Sequence, residues 1–385
     1  MKAAEKVQIL RDLIQIPTVN GNEAAITDYL VRLFQEHGIA SQVQPITDDK
    51  SRTNLIVEIG SGKTDQVFGF TGHQDTVAVG DEAEWEHAPF AATVVGDKLY
   101  GRGAADMKSG LAAEVIALIE LVEEQREIPG KIRLLITAGE EYGAPGAYQI
   151  APNLLTDLDA LVVGEATDGN VTYAHSGSFN YRIVSRGKAA HSSVPTHGIN
   201  AIQGLVKYIQ REAQIFADLP VDPTLGHVQH SVTVIRGGEQ VNTIPDAAEL
   251  LGNVRPTSVF GNQAVRRLLQ TTIDQLNAST DYELELQVIH DFYPVKSQAD
   301  DWLVQKAVAV SQANYPDRQI QAGIDNGATD ASVFVKQNAD LPVIVLGPDK
   351  AGTSHQRSEH TTISSFLATI NIYKDLATQF FATQA

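Results

Sequence analysis

The sequence predicts an α/β protein. A mixed, mostly parallel-sheet domain built from 1–175 and 289–385 is interrupted by an inserted ferredoxin-like α+β domain at 176–288. Three observations carry this reading. Short continuous apolar runs alternate with helical periodicity up to about His175. From about Ser176 to Val288 the runs alternate apolar with polar instead. After Pro294 the first texture returns.

In chain order, Val7, Leu10, Leu13 and Ile14 fall at helical spacing with charges between them, which predicts an amphipathic helix and not a signal peptide. Apolar strands follow at Asn54–Ile59, Val67–Thr71, Ile132–Thr137 and Leu161–Gly164. A helix over Met107–Glu124 sets Leu111, Val115, Leu118, Ile119 and Val122 on one side. Continuous apolar strands separated by helices indicate a sheet covered on both faces. In the insert, half-exposed strands are expected at Phe179–Ser185, Val232–Arg236, Glu249–Val254 and Tyr282–Ile289, with helices at Ile199–Phe216 and Gln263–Leu276. The closing segment reads as a helix at Trp302–Asn314, a strand at Val343–Leu346 and a helix at Ile363–Phe381.

The formal net charge of −18 repels nucleic-acid phosphates and anionic membranes, so neither is expected as a partner. No apolar run approaches the roughly 20 residues that span a bilayer. The chain has no cysteine, which excludes disulfides, thiolate metal sites and a cysteine nucleophile. A cytoplasmic location fits these features.

Four apolar runs lead at once into acids or histidines. These are His73 and Asp75, then Glu140 and Glu141, then Glu165, and last a loop with His355, Glu359 and His360. Ligands of open α/β sheets bind beyond the carboxyl ends of the strands, so these residues are expected on one rim. Asp106 precedes the long helix, where it serves either as a helix cap or as a further site acid. Two imidazoles and three carboxylates suit a pair of zinc ions, with one carboxylate bridging. Adjacent acids such as Glu140 and Glu141 are often solvated surface, but here they lie between an apolar strand and a Gly/Pro turn. If they belong to a site, one binds metal and the other accepts a proton from water. Asp75 either fixes the His73 tautomer or starts a turn.

Taken in order, these segments resemble the zinc aminoacylase, desuccinylase and carboxypeptidase family, often called the ArgE/DapE group. The resemblance rests on Gly72-His73-Gln74-Asp75-Thr76-Val77, Gly101-Arg102-Gly103-Ala104-Ala105-Asp106-Met107-Lys108, Thr137-Ala138-Gly139-Glu140-Glu141 and Val163-Gly164-Glu165. It continues through Gly187-Lys188-Ala189-Ala190-His191-Ser192-Ser193-Val194-Pro195, Asn242-Thr243-Ile244-Pro245-Asp246, Thr329-Asp330 and His355-Gln356-Arg357-Ser358-Glu359. It spans nearly the whole chain. It implies a two-zinc enzyme, with cobalt or manganese able to substitute. His73, Asp106 and Glu165 would hold one ion, and Asp106, Glu141 and His355 the other. Glu140 would be the general base, and Asp75 would orient His73. The Asp106–Met107 peptide would be cis.

The insert resembles the family's lid and dimerisation domain. A homodimer is therefore expected, with His191 reaching the partner's site and Asn242 and Arg255 contacting substrate. Taken alone, His191 reads equally as a loop histidine, and Arg255 as a surface ion-pair partner. The 101–108 segment is most similar to desuccinylases acting on N-succinyl-diaminopimelate. An acetylornithine-type deacetylase or a small dipeptidase or carboxypeptidase is the alternative within the family, and a non-catalytic metal- or peptide-binding module the alternative outside it. Gly139, Ala166, Asn253 and Ala328 depart from residues common in the family and leave the choice of small acylated amino acid or peptide open. No Gly-x-Ser-x-Gly elbow supports a serine hydrolase.

Overall fold

The computed structural model describes residues 1–46, 49–349 and 351–382. The chain forms two compact units. One comprises Met1–Ala174, Lys296–Gly323 and Thr329–Ala385, and the other His175–Val295 with Ile324–Ala328.

The first unit is organised on a mixed sheet. Its strands run in the order Ser41–Pro45, Thr53–Ile59, Lys131–Thr137, Val67–His73, Ala160–Val163, Val343–Val345 and Val171–His175. Lys131–Thr137, Val67–His73, Ala160–Val163 and Val343–Val345 run parallel, so their carboxyl ends share one rim. Thr53–Ile59 and Ser41–Pro45 continue the sheet antiparallel. All seven residues of Val67–His73 are buried. Successive strand residues face opposite sides, so both faces of this strand are covered.

The helix Lys108–Glu123 differs from the one-sided pattern expected. Every residue from Lys108 to Leu121 is buried, while Val122 is partly exposed. Small residues explain this. Gly110, Ala112, Ala113 and Ala117 let neighbouring segments approach where a one-sided helix would meet water. Gly110 rests on the carbonyl of Gly164, and a Cβ there would overlap that oxygen. The contact sets the helix that follows Asp106 against the strand end that carries Glu165. The C-terminal helix Ile363–Ala382 and the first helix Ala3–Gln15 pack on this central helix.

A second small sheet was not evident in the sequence. His360–Thr362 pairs with Lys98–Tyr100, which pairs with Thr93–Val95. Three-residue strands are too short to show a period.

In the second unit the strands run in the order Gln229–Gly237, Ala247–Arg255, Ser178–Arg186 and Glu283–Phe292, all antiparallel. Helices Ala201–Ile215 and Asn262–Ser279 join them in the ferredoxin-like manner. Tyr181, Ile183, Leu205, Leu250, Val254, Leu269 and Ile273 form the core of this unit.

Candidate metal centre

The parallel strands bring their following residues together in the first unit. His73 closes its strand and is 1% exposed. Its Nε2 lies 3.2 Å from Asp106 Oδ1 and 3.2 Å from Glu165 Oε1. His355 Nε2 lies 3.2 Å from Asp106 Oδ2 and 3.0 Å from Glu141 Oε1. Asp106 therefore turns one oxygen to each of two His/Glu pairs. It does not cap the helix. Met107 takes the cap position without a side-chain bond, and the Asp106–Met107 peptide is cis.

This arrangement fits two cations. Donor atoms around one tetrahedral zinc stand roughly 3.3–3.6 Å apart, close to the spacings here. One atom each of His73, Asp106 and Glu141 also fall within 4.8 Å of one another. His73 Nδ1 faces the main-chain oxygen of Asp75 at 3.0 Å, which places the proton on Nδ1 and leaves Nε2 as a donor to metal.

Asp75 meets His73 mainly through its backbone. Its carboxylate is 3.6 Å from His73 Nδ1, and the main-chain oxygen of Asp75 takes the imidazole instead. The carboxylate accepts backbone N–H groups from Gly139 at 2.7 Å, Glu140 at 3.0 Å and Glu141 at 3.1 Å. An anion there caps a tight turn whose amides point one way. Gly139 has φ +81°, and a Cβ on it would strike Arg52. Arg52 in turn pairs with buried Glu23. The turn bearing Glu140 and Glu141 is thus fixed from behind. Among the described residues, no hydrogen bond or ion pair engages the Glu140 carboxylate.

Negative charge is concentrated here. Burial alone would lower the His73 pKa, but Glu165, Asp106 and Asp75 raise it well above the ordinary value. Hydrogen bonds to Asp106 and Glu141 push His355 up to about 10. Burial, with Asp106 nearby, pushes Glu165 up to about 7. Burial likewise sends Glu140 well above the usual carboxylate range, although His73 opposes it. Burial would raise Asp106, but bonds from His355 and His73 hold it far below. Protons on the imidazoles occupy the role of cations. Metal binding to the metal-free protein at pH 7 is therefore expected to release at least two protons, from the imidazoles and in part from Glu165. The apparent affinity should rise with pH, because the raised pKa of His355 keeps protons competing up to about 10. Calorimetry in buffers of differing ionisation enthalpy reads the number directly, and no release would contradict the imidazole assignment.

Three buried acids near the centre had no assigned role in the sequence reading. Asp330 accepts a hydrogen bond from Thr137 Oγ1, and its other oxygen is buried without a partner. Burial pushes it up to about 6. Glu359 is fully buried beside Arg102. Glu114, on the central helix, faces Gly72 and Gly164, with both oxygens buried and the Thr71 backbone N–H near them. Burial, with the Glu165 charge, raises Glu114 well above the ordinary carboxylate value. A carboxyl with a raised folded pKa binds more protons folded than unfolded, so stability falls as pH rises through the unfolded value of about 4.3 toward the folded one. Glu114→Gln is expected to raise stability at pH 7 by about 1–3 kcal/mol and to flatten that slope. Denaturant unfolding at pH 5 and pH 7 measures both.

His191, Asn242 and Arg255 belong to the second unit. His191 and Asn242 are neighbours on a two-stranded antiparallel pair in which Ala190–His191 lies against Thr243–Ile244, and Ser192 N–H donates to the Asn242 carbonyl. His191 is exposed, and its Nδ1 meets Ser193 Oγ at 2.8 Å. Arg255 lies apart from them. It ends the strand Ala247–Arg255, at the far end from that two-stranded pair, and reaches the Asn326 carbonyl at 3.4 Å. His360 is not at the centre, and its ring packs on Tyr100.

A sequence profile of Peptidase family M20/M25/M40 matches residues 69–379. The chain belongs to the M20 peptidase family. A probable succinyl-diaminopimelate desuccinylase of Staphylococcus aureus is 34% identical, with 98% of this chain and 97% of that protein covered. Among solved structures, the M20 metallo-carboxypeptidase Sso-CP2 of Sulfolobus solfataricus superposes with TM-score 0.80 at 17% identity, covering 98% of this chain and 99% of the other. The Bacillus subtilis YXEP protein, described as a dinuclear metal-binding M20 peptidase, superposes at 0.74 with 19% identity and 99% of each chain covered. As an M20 protein the chain is a hydrolase of amide bonds. Among the described residues, no helix is long and apolar enough to cross a membrane.

Proposed function

We propose that this M20 hydrolase is a two-metal deacylase that removes the acyl group from a small N-acyl amino acid, with N-succinyl-diaminopimelate as the leading substrate. The observation that carries the reading is Asp106, which turns one oxygen toward His73 and Glu165 and the other toward His355 and Glu141. His73, Asp106 and Glu165 would hold one ion, and His355, Asp106 and Glu141 the other. Zinc is the ion we favour, with cobalt or manganese able to replace it. When bound, such ions supply Lewis acidity at the acyl carbonyl and acidify water to a pKa near 7.

The chain's own residues do the rest. Glu140 stands next to Glu141 with no partner of its own, on a turn that Asp75 holds. It accepts a proton as water adds to the acyl carbon. It returns that proton to the amine nitrogen as the carbon–nitrogen bond breaks. Burial raises the Glu140 pKa, which strengthens its carboxylate as a proton acceptor. The exposed imidazole of His191 would steady the oxyanion, reaching across a homodimer from the partner subunit. Asn242 and Arg255 would contact the substrate. Their separation within one unit suits contacts to different parts of it.

The succinyl preference is supported by the 34% identical desuccinylase and by the Gly101–Lys108 segment. The experiment is primary-amine release by zinc-loaded protein, with and without chelator. The panel is N-succinyl-diaminopimelate, N-acetylornithine, other N-acyl amino acids and dipeptides. A strong succinyl preference abolished by chelator is the expected result. Preference for dipeptides would keep the chemistry and discard the substrate. Full activity in chelator would overturn the metal reading.

A further inference from the structure

The loop that carries Asp106 and the loop that carries His355 are joined by a buried ion pair. Glu359 is 0% exposed. Its Oε1 accepts the backbone N–H of Ala105 at 2.9 Å and of Asp106 at 3.0 Å. Its Oε2 receives Arg102 Nη1 at 2.5 Å. Its main-chain oxygen accepts the Gly101 N–H at 2.9 Å. Arg102 is also buried, donates Nη2 to the Ala78 carbonyl at 3.1 Å and lies 5.1 Å from the centre of the Trp85 ring. Beyond Glu359, the strand His360–Thr362 is paired with Lys98–Tyr100, which leads into the same glycine-rich segment. His355 and Ser358 both take positive φ, 61° and 62°, a conformation that non-glycine residues hold only when their surroundings impose it.

Stability alone does not account for this pair. Taking two charges out of water costs several kcal/mol each, and apolar residues of like volume often do as well or better. Arg102 Nε is moreover buried without a partner. What an apolar pair does not provide is an acceptor for the amide of Asp106 itself. That bond fixes the backbone from which the carboxylate must reach both His73 and His355.

We propose that Glu359 is a positioning residue for both halves of the metal centre, with Arg102 as its buried counter-charge. Through the Asp106 amide, Glu359 sets the split of the two Asp106 oxygens. Through its own place four residues after His355, it holds that imidazole on the same side. The centre is thereby assembled before an ion arrives, which is how supporting contacts raise affinity without touching the metal. The inference rests on the assignment of Asp106 and His355 as ligands.

The test is cobalt(II) titration of metal-free protein followed by visible absorption, alongside thermal unfolding of the same metal-free samples. Glu359→Gln keeps the shape and one oxygen but cannot accept from both Arg102 and the two amides. It is expected to weaken cobalt binding by about 10- to 100-fold, with a metal-free midpoint within about 3 °C of wild type. Cobalt affinity within about twofold of wild type, at an unchanged midpoint, would overturn the proposal. If Glu359→Gln lowers the metal-free midpoint further than that, Arg102→Lys decides. Weaker cobalt binding in a variant of preserved midpoint upholds the positioning role, and unchanged binding overturns it. A wild-type protein that binds no cobalt would instead remove the two-metal reading itself, so the two failures are separable.

Discussion

Glu140→Ala should bind metal as the wild type does and turn over substrate about 10²- to 10⁴-fold more slowly, the range that a general acid–base group contributes. The geometry makes the two effects separable. Among the described residues, the Glu140 carboxylate makes no hydrogen bond or ion pair with a residue that we assign to a metal. Its backbone N–H, which remains in the alanine variant, is what Asp75 holds at 3.0 Å. The turn and the neighbouring Glu141 should stay in place. Metal content by elemental analysis and kcat on the preferred substrate give the comparison. A variant with normal metal and undiminished kcat would leave the proton transfers without an agent.

Asp106→Asn should have the larger effect, because it strikes both halves of the centre at once. One carboxylate oxygen faces His73 and Glu165, the other His355 and Glu141. An amide offers one acceptor and one donor, so it can serve one imidazole side only. Metal stoichiometry, read by calorimetry on metal-free protein, should fall below that of wild type. Turnover should drop by about a thousandfold or more, since metal assistance is worth several kcal/mol. Glu165→Gln, by contrast, should impair mainly the His73 side. Equal stoichiometry in the Asp106 and Glu165 variants would argue that Asp106 is not shared.

Much of this architecture is legible in the sequence. The apolar runs ending in His73, Glu140 and Glu165 announced buried strands with polar tips, and parallel pairing then placed the tips on one rim. The approach of Asp106 and His355 depended more on the motif order, because Asp106 ends no such run and His355 lies well into the loop that follows Val343–Leu346. What stayed hidden has a common cause. Asp75 and Glu359 act on backbone amides, and an amide leaves no mark in a side-chain pattern. The burial of Lys108–Leu121 on all sides was likewise masked, because its alanines and glycine read as neutral positions rather than as close contacts. The opposite placement of Arg255 and His191 depended on where the strand Ala247–Arg255 begins and ends, the least determined feature of any sequence reading.

The position of Val343–Val345 has a consequence for how the molecule is made. This strand sits between Ala160–Val163 and Val171–His175, about 180 residues from the partner beside which it runs parallel. Until it arrives, the edge of Ala160–Val163 presents unpaired amides and carbonyls flanked by apolar side chains, the kind of surface that recruits foreign strands. Such distant pairing also slows folding, since a long loop must close before the contact rewards it. Recovery from denaturant should therefore depend on protein concentration, with dilute refolding favoured, because the incomplete sheet has time to meet another of its kind.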